Sequence, residues 1–82
     1  MKIQNFDQLK RDFAVGKILI FKHKISKKKS VDFILKFKIR NNSEIHFKSL
    51  ILNDSFGYQK SFDEVWFSIP AYYLHECDIE II

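Results

Sequence analysis

Between Val31 and Ile39 the chain alternates: Val31, Phe33, Leu35, Phe37 and Ile39 are apolar, Asp32, Lys36 and Lys38 are polar, and Ile34 alone breaks the pattern. Successive side chains of a strand point to opposite faces, so this stretch reads as a strand with one buried face. The parity resumes in Ile45 and Phe47, with Glu44, His46 and Lys48 between them. If both strands bury their odd residues, the loop joining them has three residues, Asn41-Asn42-Ser43, because a two-residue turn would set Ile39 against Glu44 and bring a carboxylate to the core face. The three-residue loop pairs Ile39 with Ile45 and Phe37 with Phe47, and sets Arg40 beside Glu44 on the wet side. The same arithmetic on the preceding segment, with Ser26–Ser30 as its loop, pairs Leu19 with Phe37, Phe21 with Leu35 and Lys24 with Asp32. Three strands then share one buried face, and Phe21, Phe33, Phe37 and Phe47 all point into it.

Ahead of Lys17 the period changes. Asn5 followed three residues later by Gln8 is a variant capping box, Phe6, Leu9 and Phe13 share one helical face, and Gly16 can supply a left-handed stop; together they predict a helix over about residues 6–14. Beyond the Asn53–Gly57 turn region the pattern predicts a strand at about 65–69, a tight or single helical turn after Pro70, and a last strand over 78–82. Ser61 with Glu64 leaves a short helix open as an alternative within 61–68. The expected fold is α+β: a short N-terminal helix, then a curled antiparallel sheet of about five strands, forming a small open barrel in a single domain over residues 1–82. Ile18, Ile20, Ile34, Leu50 and Leu52 gather at one end of the outward face, where the helix or the C-terminal third is expected to cover them. Ser49, polar at an inward position, marks an expected bulge or bend.

Composition narrows the class. A chain of 82 residues that is 46% hydrophobic and 16% aromatic can close a core without staples. Its one cysteine, Cys77, can form no intrachain disulfide, and no segment approaches the roughly 20 apolar residues that cross a bilayer. Residues 1–5 contain no apolar signal run, so the expected location is cytoplasmic. Twelve lysines and twelve isoleucines are the usage expected of AT-rich coding, which raises basicity without any function. The charge is nonetheless uneven: residues 1–29 carry nine Lys or Arg against two acids, and residues 30–82 five against eight. One basic surface and one acidic edge are expected.

Little in the sequence suggests catalysis, and a non-enzymatic protein without cofactor or metal is expected. His75-x-Cys77 is the one adjacent pair of soft ligands; His23 and His46 fall on opposite faces of the sheet and cannot complete a zinc site. His23, opposite Phe33 on the buried parity, reads as a hydrogen-bonded histidine at the edge of the core. Asp63 and Glu64 point to opposite sides of a strand, so they form no acid–base pair. Two glycines, neither in a Gly-rich loop, make no phosphate cradle.

Two surfaces stand out as binding candidates. Lys22, Lys24, Lys36, Lys38, Arg40 and Lys48 share outward parity, and Lys27, Lys28 and Lys29 extend from the hairpin beside them. Such a face can neutralise several phosphates, although it serves solubility equally well. Sheets that bind single strands present aromatic rings on the open face, and here the phenylalanines have buried parity, which argues for backbone contact over base stacking. The second surface is the aromatic and acidic C-terminal third, where Tyr58, Trp66, Tyr72 and Tyr73 are candidate anchors for a partner protein; burial of these rings by the helix and the barrel is the alternative.

The segments Leu9-Lys10-Arg11-Asp12-Phe13-Ala14-Val15-Gly16-Lys17-Ile18-Leu19 and Val65-Trp66-Phe67-Ser68-Ile69-Pro70-Ala71-x-x-Leu74 resemble small uncharacterised phage and prophage proteins, in which a helix ending at Val-Gly precedes a compact β-domain and a Trp-x-x-Pro-x-Ala segment lies near the C-terminus. The likeness covers about a third of the chain, and the Lys27–Lys29 tip departs from it. It implies a mobile-element origin and a protein that inhibits a host protein or ribonucleoprotein by occlusion, for example an anti-CRISPR or anti-restriction protein. It assigns no residue a role. The alternative, carried by the residues themselves, is a module that binds the DNA or RNA backbone through its lysine-rich sheet face.

Overall fold

The computed structural model of the protein describes residues 2–54 and 66–82. A short helix α1 (Phe6–Asp12) precedes strands β1 (Ile18–His23), β2 (Lys29–Arg40) and β3 (Glu44–Asp54); β4 (Phe67–Pro70), a one-turn helix α2 (Tyr73–Glu76) and β5 (Cys77–Ile81) follow. The strands form one antiparallel, five-stranded sheet in the order β4-β3-β2-β1-β5, so β5 returns to pair with β1 and the sheet stays open between β4 and β5. This is the expected α+β architecture with its expected number of strands. The β5 edge is partly blunted by the N-terminal segment, where the Ile3 N–H donates to the Ile79 carbonyl at 2.8 Å.

Helix α1 begins where its cap requires. The Asn5 carboxamide accepts from the Gln8 N–H at 2.8 Å, a donor that the first turn would otherwise leave unpaired, and Gln8 Oε1 accepts from the Gln4 N–H just ahead of the cap at 2.7 Å. The helix stops at Asp12, two residues short of expectation, because Phe13 is already extended. Gly16, at φ 87°, makes the turn into β1. Leu9 and Phe13 then pack on one face of the sheet, with the Phe13 ring 5.0 Å from Phe37 and 5.6 Å from Phe47 in edge-on contacts. That inner face also carries Leu19, Ile34, Ile45, Ile69 and Ile79, all fully buried.

The β2–β3 hairpin has the expected loop and register. Phe37 faces Phe47, Ile39 faces Ile45 and Arg40 faces Glu44, and Asn41 and Asn42 take left-handed φ of 53° and 55°, a conformation that Asn tolerates better than most residues. The β1–β2 hairpin departs from expectation. Its register sets Ile18 against Phe33, Leu19 against Asp32 and Phe21 against Ser30, in place of the Leu19–Phe37, Phe21–Leu35 and Lys24–Asp32 pairs.

The five-residue offset reflects an earlier turn, in which the His23 N–H donates to the Lys28 carbonyl at 2.8 Å, and its reversed parity reflects a bulge. Leu35 is an extra residue on β2, since Ile34 opposes Ser49 and Lys36 opposes Lys48, with nothing left opposite Leu35. A bulge switches the parity of its strand, so Ser30, Asp32 and Ile34 face inward before it and Phe37 faces inward after it. Ile34 is therefore a core residue that keeps the earlier parity. Phe33 lies on the outer face, half-buried, and Leu35 is 46% exposed; both corrections follow from the same extra residue. Ser49 does mark the irregular region, although the extra residues are Leu35 on β2 and Leu52 on β3. The carboxylate that this parity sends inside, Asp32, accepts hydrogen bonds from the Ser30 hydroxyl at 2.9 Å and the Ser49 hydroxyl at 3.3 Å.

The helix covers the inner face, not the outer one as was open from the sequence. On the outer face Ile18 and Ile20 are half-buried, while Leu50 and Leu52 are 57% and 50% exposed. Among the described residues no helix of the protein is long and apolar enough to cross a membrane.

Candidate functional site

The outer face of the sheet holds the densest group of cations. Beyond the bulge, Lys36, Lys38 and Arg40 point outward from β2, opposite Lys48, His46 and Glu44 of β3. Trp66 precedes β4 beside Lys48, and the Lys38 and Lys48 ammonium groups each lie 5.0 Å from the centroid of its ring. An ammonium over an indole face is attracted by the ring quadrupole, so Trp66 draws the two lysines together while itself remaining 40% exposed.

Among the described residues Glu44 is the acidic group at this end, and it is engaged: the Ser68 hydroxyl donates to its Oε1 at 2.7 Å and His46 Nε2 binds the same oxygen. The Ser68 hydrogen bond first, then that of His46, with the charges of His46 and Arg40 nearby, hold the Glu44 carboxyl below its ordinary value of 4.5. Lys36, by contrast, sits directly opposite Lys48. Like charges facing each other across a ladder destabilise a sheet, and here Lys48 also lies against the Trp66 ring. A second such pair, Lys22 opposite Lys29, lies toward the other end of the same face, but Lys22 also opposes Asp78 of β5.

The other sequence candidates disperse. Lys24 leaves the outer face: its ammonium donates to the Leu74 carbonyl at 3.0 Å, which ties the hairpin to α2. Lys27 takes a left-handed φ of 62° at the tip, and Lys28 lines a cavity on the inner side. Tyr73 lines that cavity too, Tyr72 is exposed beside it with the two rings 5.7 Å apart, and Tyr58 lies outside the described residues. The proposed aromatic surface is thus divided, with Trp66 joining the basic group and the tyrosines belonging to α2.

The cavity, of about 450 Å³, occupies the part of the inner face that α1 leaves uncovered. Phe21, Phe47, Phe67 and Tyr73 wall it, and Asp32, His23 and Cys77 supply polar groups. His23 opposes Cys77 rather than Phe33, and its Nδ1 accepts from the Ser26 N–H at 3.1 Å, closing the lysine loop. Burial, then the neighbouring Glu76 and Asp78 carboxylates, push the Cys77 thiol up, away from the thiolate that a nucleophile requires. His75 stays on the exposed side of α2, and among the described residues no three His, Cys, Asp or Glu side chains gather to hold a metal ion.

Sequence reasoning found Lys36, Lys38, Arg40 and Lys48 but missed Phe33 as their neighbour. Ile34 was the available signal, an apolar residue at a polar position that reports a change of parity. No protein-family model, curated protein or solved structure matches the chain.

Proposed function

We propose that the chain is a non-enzymatic binding module, acting in the cytoplasm, whose outer sheet face takes the phosphate backbone of a nucleic acid. This reading is carried by Lys36, Lys38, Arg40 and Lys48 standing together on the outer face, with Lys38 and Lys48 both against the exposed Trp66 ring. Contact of these four cations with phosphates would displace condensed counterions, which makes affinity depend on salt.

Fluorescence anisotropy with labelled DNA and RNA oligonucleotides tests it. Binding at low salt is expected, with log K falling against log salt at a slope of about −3 for four phosphate contacts. Lys36→Gln and Lys48→Gln are each expected to reduce that slope by about 1. An absence of binding to every oligonucleotide at low salt rejects the reading.

A second reading is an occluding inhibitor of a host protein or ribonucleoprotein, of mobile-element origin. It is supported by Leu50, exposed on the outer face in the row next to Lys36 and Lys48, and by the exposed Leu35 and Leu52 at the two bulges. A pull-down from nuclease-treated lysate should then capture one stoichiometric protein, and Leu50→Asp should abolish the capture.

A further inference from the structure

Reading the outer face from end to end, residue types change in a definite order. The row Lys36–Lys48, with Trp66 beside it, is followed by the row Ile82–Ile18–Phe33–Leu50, then by Glu80–Ile20–Val31–Asn53, then by Asp78–Lys22–Lys29. Alternate residues of a strand repeat every ~6.6 Å, so the two lysine rows stand roughly 20 Å apart with an apolar strip between them. Leu50 in that strip is 57% exposed, and Phe33 is half-buried between Ile18 and Leu50.

A rigid duplex offers such a face only phosphates and has no use for the strip. A single strand offers both chemistries at once: phosphates for the lysine rows, and unstacked base faces for the ring and the leucine. We infer that the nucleic acid bound here is single-stranded, with Phe33 and Leu50 receiving bases between two phosphate-binding lysine rows. This inference rests on the reading given under Proposed function. Asp78 and Glu80 line the β5 side of the face and Asp78 also lies 3.9 Å from Lys2, so the strand's path runs over β1, β2 and β3.

Anisotropy with three probes of equal length tests the inference: oligothymidylate, the corresponding abasic deoxyribose-phosphate chain, and a blunt duplex. Oligothymidylate should bind about tenfold or more tightly than the abasic chain, and more tightly than the duplex. Phe33→Ala should bring oligothymidylate down to the abasic level while leaving abasic binding unchanged. Leu50→Ser, at an exposed position that spares the fold, should act in the same direction and stands in if Phe33→Ala unfolds by circular dichroism. Equal affinity for oligothymidylate and abasic chain, or a preference for duplex, overturns the base contact and leaves the backbone reading intact. No binding of any probe at low salt removes both.

Discussion

At the scale of single residues, the outer face is governed by what each charge can find opposite it. Glu44 is held by Ser68 and His46, so it contributes stability that is present above the ordinary carboxylate value of 4.5 and is lost as pH falls through its lowered folded value. Ser68→Ala removes the largest of those interactions. The Glu44 carboxyl should then titrate at a higher pH by NMR, and the acid limb of thermal unfolding should move to higher pH with it. Trp66 is the one tryptophan of the chain, so its fluorescence reports directly on the cation cluster. Replacing it by Ala removes the ring against which Lys38 and Lys48 both lie. Oligonucleotide binding should weaken about tenfold, and Trp66→Tyr should restore most of it.

At the scale of elements, the decisive feature is the Leu35 bulge. Deleting Leu35 turns Ile34, Lys36 and Phe37 into a regular in–out–in ladder against Ser49, Lys48 and Phe47, so the variant should still unfold cooperatively, within about 2 kcal/mol of the parent in urea. Deleting Phe33 instead inverts the strand ahead of it, turning Asp32 and Ser30 outward, and should abolish cooperative unfolding. Helix α1 acts through Phe13, whose ring contacts both Phe37 and Phe47; Phe13→Ala should cost about 3–5 kcal/mol. The same elements explain what was readable in advance. Asn41-Asn42-Ser43 could be placed because Glu44 cannot enter the core, a constraint local to one hairpin. The Ser26–Ser30 loop was misplaced because parity was carried across Ile34 as though the strand had no extra residue. The actual loop is closed by contacts the sequence does not advertise, His23 Nδ1 with the Ser26 N–H and the Lys24 N–H with the Glu76 carbonyl at 2.9 Å. The lysines of the candidate site were legible because their parity lies beyond the bulge, where the β2–β3 register was fixed. Phe33 lies before it, and its side was inverted along with the strand.

At the scale of the whole molecule, one sheet has two unlike faces. The inner face is covered in part by α1 and elsewhere forms a cavity walled by aromatics, whereas the outer face combines cations, one exposed indole and a half-buried apolar strip ending in the exposed Leu50. The proposed partner lies against the open side, and the net charge of +4 suits an anionic one. The most direct measurement is a ¹H–¹⁵N NMR titration of the protein with a short oligothymidylate at low salt, reading the Trp66 indole and the backbone amides. Shifts should concentrate at the Trp66 indole and at Phe33, Lys36, Lys38, Lys48 and Leu50, and added salt should reverse them. Shifts centred on Phe21, His23 and Cys77 in the inner cavity, or no shifts at all, would contradict the proposed binding.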